Sequence, residues 1–212
     1  ALGVYELKTD DWCLDVVITG SQKSLSLPPG LAFVSLSDKA WGLVEKARLP
    51  KYYFNFLKEK KAMEKETTAF TPAVSLIIGL AEVLRSIRAA GLSAIFAHHR
   101  RLSEGTKKGV TAMGLELFSM APSEAITVIK SPDGIDGQNI VKILREEYGI
   151  TIAGGQTQAK GKIFRISHMG HLDEWDMIIA LSAVERALNQ IGYPLEFGKG
   201  VAAAEKYFAQ ND

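Results

Sequence analysis

Residues 15–30 read DVVITGSQKSLSLPPG, and this stretch decides how the first part of the chain folds. The apolar run at 16–18 is typical of a short buried strand. Small polar residues follow and form a turn that presents one lysine, Lys23, ahead of a Pro-Pro-Gly break at 28–30. The next apolar run, 31–36, predicts a second buried strand. We therefore predict a strand, a turn and a strand at the end of a mainly parallel sheet.

Lys23 is a candidate nucleophile. An ammonium group held between two buried strands would lose hydration, and this loss favours the neutral amine. A neutral lysine amine attacks carbonyl groups and forms a Schiff base. A lysine after a strand is also typical of a solvated loop, and the pattern alone leaves both interpretations open.

Composition and charge argue against several classes of protein. The 212 residues carry a net charge of +1, so the charge balance gives no reason to expect nucleic acid or an anionic membrane as a partner. The apolar runs are too short and interrupted to span a bilayer, and no signal peptide is visible. The single cysteine, Cys13, rules out an internal disulfide and fits a cytoplasmic protein. We expect Cys13 to be a small packed residue.

Thr71 and Pro72 predict the start of a helix, because a hydroxyl residue is a favoured N-cap and proline a favoured first residue. The predicted apolar stripe of this helix is Leu76, Leu80, Leu84 and Ile87. A helix N-terminus that carries a free hydroxyl also binds anions. Thr71 is therefore either a plain cap or an anion-binding group. Gly91 is predicted to end the helix, and the break near Gly91 or Gly114 is the predicted domain boundary.

The chain after this boundary predicts a small α+β domain. Its strands are predicted at 115–120, 125–129, 150–152 and 162–167. Its helices are predicted at 93–109, 136–149, 173–191 and 200–210, with Asp136 and Asp173 at two of the starts. In the long helix 173–191, Trp175 is predicted to face the core.

Arg165 lies within the strand predicted at 162–167, between apolar residues. It is either an edge-strand side chain whose stem covers apolar surface or a clamp for a carboxylate, which the planar guanidinium binds through two parallel hydrogen bonds. His168 and His171 imitate a metal-binding pair, but too few other ligands accompany them, and we predict no metal site. His98 and His99 are predicted to lie at a helix surface or an interface.

The segment 19–23 (TGSQK), followed by 27–31 (LPPGL), resembles the cofactor-lysine segment of class V aminotransferases, in the branch of alanine–glyoxylate and serine–glyoxylate (serine–pyruvate) aminotransferases. The resemblance extends over nearly the whole chain, through 71–76 (TPAVSL) and 161–166 (GKIFRI). It implies an α/β fold, the C-terminal part of a pyridoxal-phosphate fold-type-I transferase. Residues 1–90 would hold the end of the large-domain sheet and the interdomain helix, and 91–212 the small α+β domain.

The resemblance also implies roles for individual residues. Lys23 carries pyridoxal 5'-phosphate as a Schiff base, and Gln22 contacts the cofactor ring. Thr71, assisted by Thr68, reaches the cofactor phosphate of the neighbouring subunit in a homodimer. Arg165 binds the α-carboxylate of the substrate.

The implied activity is transamination between an amino acid, alanine or serine, and a 2-oxo acid, glyoxylate or pyruvate. Family members are much longer, so we expect this chain to be a C-terminal fragment that is inactive alone. One alternative is a non-catalytic subunit or interaction protein on the same fold, since some relatives carry a soluble-hydrogenase-subunit label. Another is a different class V pyridoxal-phosphate enzyme, such as a lyase.

Overall fold

The computed structural model of the chain describes residues 2–210. It divides into two compact units. One, here called the N-terminal unit, consists of Leu2 and Glu6–Ala90. The other, the C-terminal unit, consists of Gly3–Tyr5 and the chain from Gly91 onward.

The N-terminal unit opens with two antiparallel strands. β1 (Val16–Gly20) pairs with β2 (Ala32–Leu36), so both predicted strands are confirmed. The expected parallel order is wrong for this pair, because the short loop between the strands holds no crossover helix. The expected burial is wrong too, since much of the strand surface faces outward and Ile18 is 70% exposed.

Three helices follow in this unit. α1 (Asp38–Lys46) has Ser37 as its N-cap, and α2 (Phe56–Met63) has Asn55. α3 (Val74–Ala90) begins later than predicted, since the Ile77 N–H donates to the Ala73 carbonyl at 3.0 Å.

Thr71 is therefore not the N-cap of α3, and that prediction is wrong. The ring of Pro72 restrains Thr71 to extended conformations, and the chain stays outside the helix through Ala73. The inward stripe of α3 also differs at one position. Leu84 is exposed, and Val83 takes its place on the half-buried side.

The C-terminal unit alternates helices and short strands. Its elements are α4 (Leu92–Ala112), β3 (Ile126–Lys130), α5 (Gly137–Tyr148), β4 (Ala153–Gly154), a 3₁₀ turn (Thr157–Ala159), β5 (Ile163–Ser167), α6 (Glu174–Gln190) and α7 (Lys199–Gln210). The sheet is antiparallel in the order β3-β5-β4, with Arg165 of β5 opposite both Val128 and Ala153.

Two predicted strands of this unit differ from the structure. The segment predicted at 115–120 makes one isolated bridge, between Leu117 and Ile129. The strand predicted at 150–152 is displaced to β4, because Ala153 and Gly154 are the residues that come into register with β5. The helix caps at Asp136 and Asp173 are confirmed.

The core of the C-terminal unit lies where α4, α6 and α7 pack together and where α5 covers the sheet. Its largest fully buried side chains include Phe164, Leu102, Ile129, Ile140, Leu144, Leu181 and Leu188. The prediction for Trp175 is wrong, since the first turn of α6 lies at the edge of this core and leaves that side chain 64% exposed. Within residues 2–210, every helix is too short or too polar to cross a membrane.

Candidate active site

Lys23 lies on the loop at 21–31, which joins β1 to β2, here called the lysine loop. Its side chain is exposed, and so is that of Gln22. Of the two interpretations that the sequence left open, burial of Lys23 between two strands is wrong for the described residues, because β1 and β2 leave much of their surface uncovered. The structure presents the amine on an accessible turn.

Ser21 fixes the base of the lysine loop, and sequence reasoning gave it no role. Its side chain is fully buried. Its hydroxyl donates to the Pro28 carbonyl at 2.7 Å and accepts from the Leu31 N–H at 3.2 Å. The Pro-Pro-Gly break was the sequence signal that could have indicated this role. Prolines have a carbonyl but no N–H group, so this part of the loop cannot pair with the opposite strand by backbone donors alone.

The lysine loop packs against α3 through two glycines. A side chain at Gly79 would meet Leu27 of the loop, with the added Cβ 2.9 Å from Leu27 Cδ2. In the same way, a Cβ at Gly30 would lie 2.5 Å from Leu76 Cδ1. Both approaches are too close for a real Cβ, so a larger residue at either position would displace the end of a leucine side chain. The loop that carries Lys23 and the helix that follows Thr71 are thus in direct contact.

The two predicted phosphate-binding threonines lie just before α3. Both side chains are exposed. The Thr68 hydroxyl donates to the Phe70 carbonyl, so its oxygen stays available as an acceptor. Thr71 precedes a helix N-terminus, where the first backbone N–H groups have no partner within the helix. This end of α3 therefore offers donors suited to an anion.

Arg165 lies in the middle of β5, in the C-terminal unit, and is half-buried. Its Nε donates to the Gly154 carbonyl at 3.0 Å. Among residues 2–210, no carboxylate forms an ion pair with it. The outer N–H groups of the guanidinium therefore remain free to bind a carboxylate from outside.

The backbone that orients Arg165 depends on close approach at two glycines. A side chain at Gly155 would overlap the Ala159 carbonyl oxygen, and one at Gly154 would overlap the Gln138 amide. The first obstacle is backbone and cannot swing aside. Glycine at 155 therefore allows the backbone to pass close to Ala159, next to the Gly154 carbonyl that Arg165 contacts.

His168 is a structural residue of the C-terminal unit. Its Nδ1 donates to the Glu124 carbonyl at 3.1 Å, which leaves Nε2 to accept from the Thr127 hydroxyl at 2.9 Å. Because a carbonyl only accepts, the Nδ1 proton is fixed, and in the neutral ring Nε2 is then the acceptor. Burial lowers the pKa of His168 to about 4, and the Lys107 ammonium contributes in the same direction.

His99 of α4 is also buried within the C-terminal unit, whereas a helix surface or an interface was expected for the His98–His99 pair. Its Nδ1 bonds to the Ile95 carbonyl at 2.8 Å, and burial lowers its pKa. The cysteine prediction is wrong as well, since Cys13 is exposed. Over the described range, no three His, Cys, Asp or Glu side chains are grouped as a metal would require.

A separate cavity of about 290 Å³ lies in the C-terminal unit. Arg101, Glu174, Trp175 and Phe208 contribute to its lining. Arg101 pairs with Glu174 at 2.6 Å and donates to the Phe208 carbonyl at 2.8 Å, so it serves the packing of helices. None of the predicted site residues lines this cavity.

Comparison with known proteins identifies the family. The chain matches the family Aminotransferase class-V over residues 1–173. It is 43% identical over 209 residues to the soluble hydrogenase small subunit of Synechococcus sp. (strain PCC 6716), covering 97% of this chain and 54% of that protein. It is 34% identical over 219 residues to serine–glyoxylate aminotransferase of Methylorubrum extorquens, covering 100% of this chain and 54% of that protein.

A solved structure extends this likeness to the fold. Pyridoxamine–pyruvate aminotransferase from Mesorhizobium loti superposes with a TM-score of 0.93 at 30% identity, over 100% of this chain and 56% of that chain. The chain thus spans about half the length of the relatives that it matches. The family, the fold class and the cofactor class predicted above are confirmed. The chain belongs to the class V aminotransferases, which use pyridoxal 5'-phosphate, and it has the fold of the C-terminal part of a fold-type-I enzyme.

Proposed function

We propose that this chain is the C-terminal part of a cytoplasmic aminotransferase that exchanges an amino group between an amino acid and a small 2-oxo acid. The observation that carries the proposal is Lys23 itself. It stands exposed on a loop that is closed by Ser21 and packed against α3, within the segment that resembles the cofactor-lysine segment of the family. The whole protein, with residues beyond this chain, would perform the reaction.

The residues present fit pyridoxal phosphate at several points. An accessible amine at Lys23 suits an aldehyde, and the exposed Gln22 amide lies beside it in the chain. The Thr71 hydroxyl and the N–H groups at the start of α3 suit a phosphate, and the Thr68 hydroxyl would donate to it after releasing the Phe70 carbonyl. Arg165 keeps guanidinium donors for a carboxylate. The chemistry of these donors matches the parts of the cofactor and of an amino-acid substrate.

Each residue then has a distinct task. Bound pyridoxal phosphate supplies an aldehyde and an electron-withdrawing ring. Lys23 Nζ would hold that aldehyde and would move the proton of the substrate Cα. Arg165 orients the substrate through its α-carboxylate. Thr71, with Thr68, binds the phosphate, and we assign this contact to the neighbouring subunit of a homodimer.

The substrate proposal follows from names in the family. The Methylorubrum relative is named for serine and glyoxylate, and the Mesorhizobium structure for pyridoxamine and pyruvate. We propose serine or alanine as amino donor and glyoxylate or pyruvate as acceptor. A panel of serine, alanine and aspartate with each acceptor, assayed on the full-length protein, would identify the pair. Lyase products without transfer of the amino group would contradict transamination.

Replacement of the lysine tests the proposal directly. Lys23→Ala in the full-length protein should lower kcat for transamination by more than about 1,000-fold, because the amine acts as both cofactor anchor and proton carrier. Lys61→Ala, at an exposed lysine of α2, is the matched control and should leave kcat unchanged. Transamination by Lys23→Ala at the wild-type rate would refute the assignment.

A second candidate function has one observation in its favour, the hydrogenase-subunit name of the Synechococcus relative. On that reading the chain would be a non-catalytic subunit with the same fold. The visible absorbance of the full-length protein, with and without added pyridoxal phosphate, separates the two ideas. A cofactor band that disappears in Lys23→Ala supports the enzyme, and the absence of any band supports the subunit.

A further inference from the structure

The lysine loop is tied at its base by one side chain. Besides its two hydroxyl contacts, Ser21 makes two backbone bonds, from its N–H to the Leu31 carbonyl at 3.1 Å and from the Leu27 N–H to its own carbonyl at 3.2 Å. Ser21 therefore binds the returning half of the loop at Leu27, Pro28 and Leu31. All of these contacts lie within the N-terminal unit.

The returning half of the loop depends on this hydroxyl because of its own composition. Pro28 and Pro29 have carbonyls but no N–H groups, so they cannot donate to the outgoing half. The Ser21 hydroxyl supplies the donor for Pro28 and the acceptor for Leu31 at once. Without it, two backbone groups beside a fully buried position would lose a partner, which is costly.

Lys23 is placed where this tie controls its position. It follows Ser21 by two residues, and the Ser26 N–H donates to the Lys23 carbonyl at 3.0 Å, which closes a tight turn that begins at Lys23. The far side of the turn is held by Leu27 against Gly79. The exposed amine therefore stands on a turn whose two ends are both fixed, one by Ser21 and one by α3.

We propose that Ser21 is a positioning residue for Lys23: its buried hydroxyl holds the lysine loop so that the amine stays in the place where the reaction needs it. The inference rests on the proposed function of Lys23. A hydroxyl that only filled space could be replaced by a group of similar size. A hydroxyl that positions the amine must keep both the donor and the acceptor.

The first measurement concerns the cofactor-free full-length protein. In Ser21→Ala, the amides of Ser26, Leu27 and Leu31 should exchange hydrogen about tenfold faster or more, because the loop has lost its tie. Amides of β3 and β5 should exchange as in the wild type. Ser35→Ala is the matched control, since Ser35 is an exposed serine of β2 in the same pair of strands.

The second measurement concerns the chemistry of Lys23 in the cofactor-bound protein. Ser21→Ala should lower kcat by about 10- to 100-fold, because small displacements of a reacting group are costly. KM for the amino donor should change less than about twofold, since Arg165 belongs to the other unit. The pH at which the visible band of the bound cofactor changes should also move, and a merely structural serine would not move it. Ser21→Cys keeps a donor and an acceptor, both weaker, in a slightly larger side chain, and should lie between wild type and alanine.

The outcomes separate the two proposals. Faster exchange in the loop together with an unchanged kcat and an unchanged absorbance titration would overturn the role of Ser21 while leaving Lys23 in place. Unchanged exchange would also overturn it. If Ser21→Ala does not fold, the Ser21→Cys variant decides, and wild-type kcat and titration in that variant would overturn the proposal. Full activity in Lys23→Ala would instead refute the proposed function, and this inference with it.

Discussion

The two units of the chain differ in what stabilises them. The C-terminal unit surrounds a continuous core of fully buried side chains, drawn from α4 to α7 and from the sheet. Among residues 6–90 of the N-terminal unit, Ser21 and Ala40 alone are buried, and α2 and α3 contain no buried residue. The unit that carries Lys23 therefore gains little from burial, while the unit that carries Arg165 gains most of its stability there.

Local contacts take the place of a core in the N-terminal unit. The rings of Tyr53 and Phe70 stack with their centroids 4.4 Å apart, and the Lys58 ammonium lies 4.4 Å from the centroid of Tyr52. Such contacts on an exposed surface each contribute about 0.5–1.5 kcal/mol. They fix local geometry, but they do not form a cooperatively folded core like that of the C-terminal unit.

A pair of truncations gives the largest expected difference. Phe164→Ala, at a fully buried residue of β5, should lower the free energy of unfolding of the C-terminal unit by about 3–5 kcal/mol. Ile18→Ala, at a residue of β1 that is 70% exposed, should cost less than about 0.5 kcal/mol. Denaturant unfolding of the 212-residue chain, followed by amide protection in each unit, measures both. Comparable losses from the two substitutions would break the contrast.

Acid should weaken the C-terminal unit through His168. Its folded pKa of about 4 lies below the ordinary value of 6.5, so the unfolded chain binds a proton that the folded chain does not. Stability is therefore complete above pH 6.5 and falls by up to about 3 kcal/mol as the pH drops through 6.5 toward 4 and below. Lys107 and His99 of α4 act on the ring in the same direction.

Amide exchange in β3 and β5 between pH 4 and pH 7, corrected for the intrinsic rate, measures this dependence. A His168→Gln variant should lose most of the slope. A slope that persists in the variant would assign it to other groups, with His99 the first to test. The lysine loop should show no such dependence on His168, because His168 lies in the other unit.

Helix caps give a smaller contrast. Asp136→Ala should lower the stability of the C-terminal unit by about 1 kcal/mol, because the Asp136 carboxylate accepts from the Gln138 N–H at 2.8 Å and α5 packs into the core. Asn55→Ala removes a similar cap from α2, which buries no residue. We expect it to fray α2 and leave the unfolding midpoint unchanged. Circular dichroism during thermal unfolding measures both, and equal shifts in Tm would contradict the contrast.

The parts of the fold that depend on neighbouring residues in the chain could be predicted from sequence. The caps at Asp136 and Asp173 and the end of α5 at Gly149 are set within one turn of backbone. The errors arise where distant contacts decide. β4 lies at Ala153–Gly154 because of its register with β5, and Trp175 is exposed because α6 begins at the edge of the core.

The candidate site divides in the same way. Residue type and flanking sequence made Lys23 and Arg165 candidates but left their roles open, and the resemblance to class V aminotransferases supplied the predicted roles. The tie at Ser21 could not be predicted, because it depends on a hydroxyl that meets residues seven and ten positions later in the chain. The sequence left the exposure of Lys23 open for a related reason, since the burial of a strand depends on what covers it.

The placement of the aromatic residues has a consequence for anyone who follows the unfolding of this protein optically. The chain has three tryptophans, and none lies in the buried core: Trp12 and Trp175 are exposed, and Trp41 is half-buried. Indole emission therefore already reports a largely aqueous environment in the native state. The wavelength of this emission would hardly change when the C-terminal unit unfolds. Tyr148 and Tyr193 pack against that core and are the better intrinsic reporters.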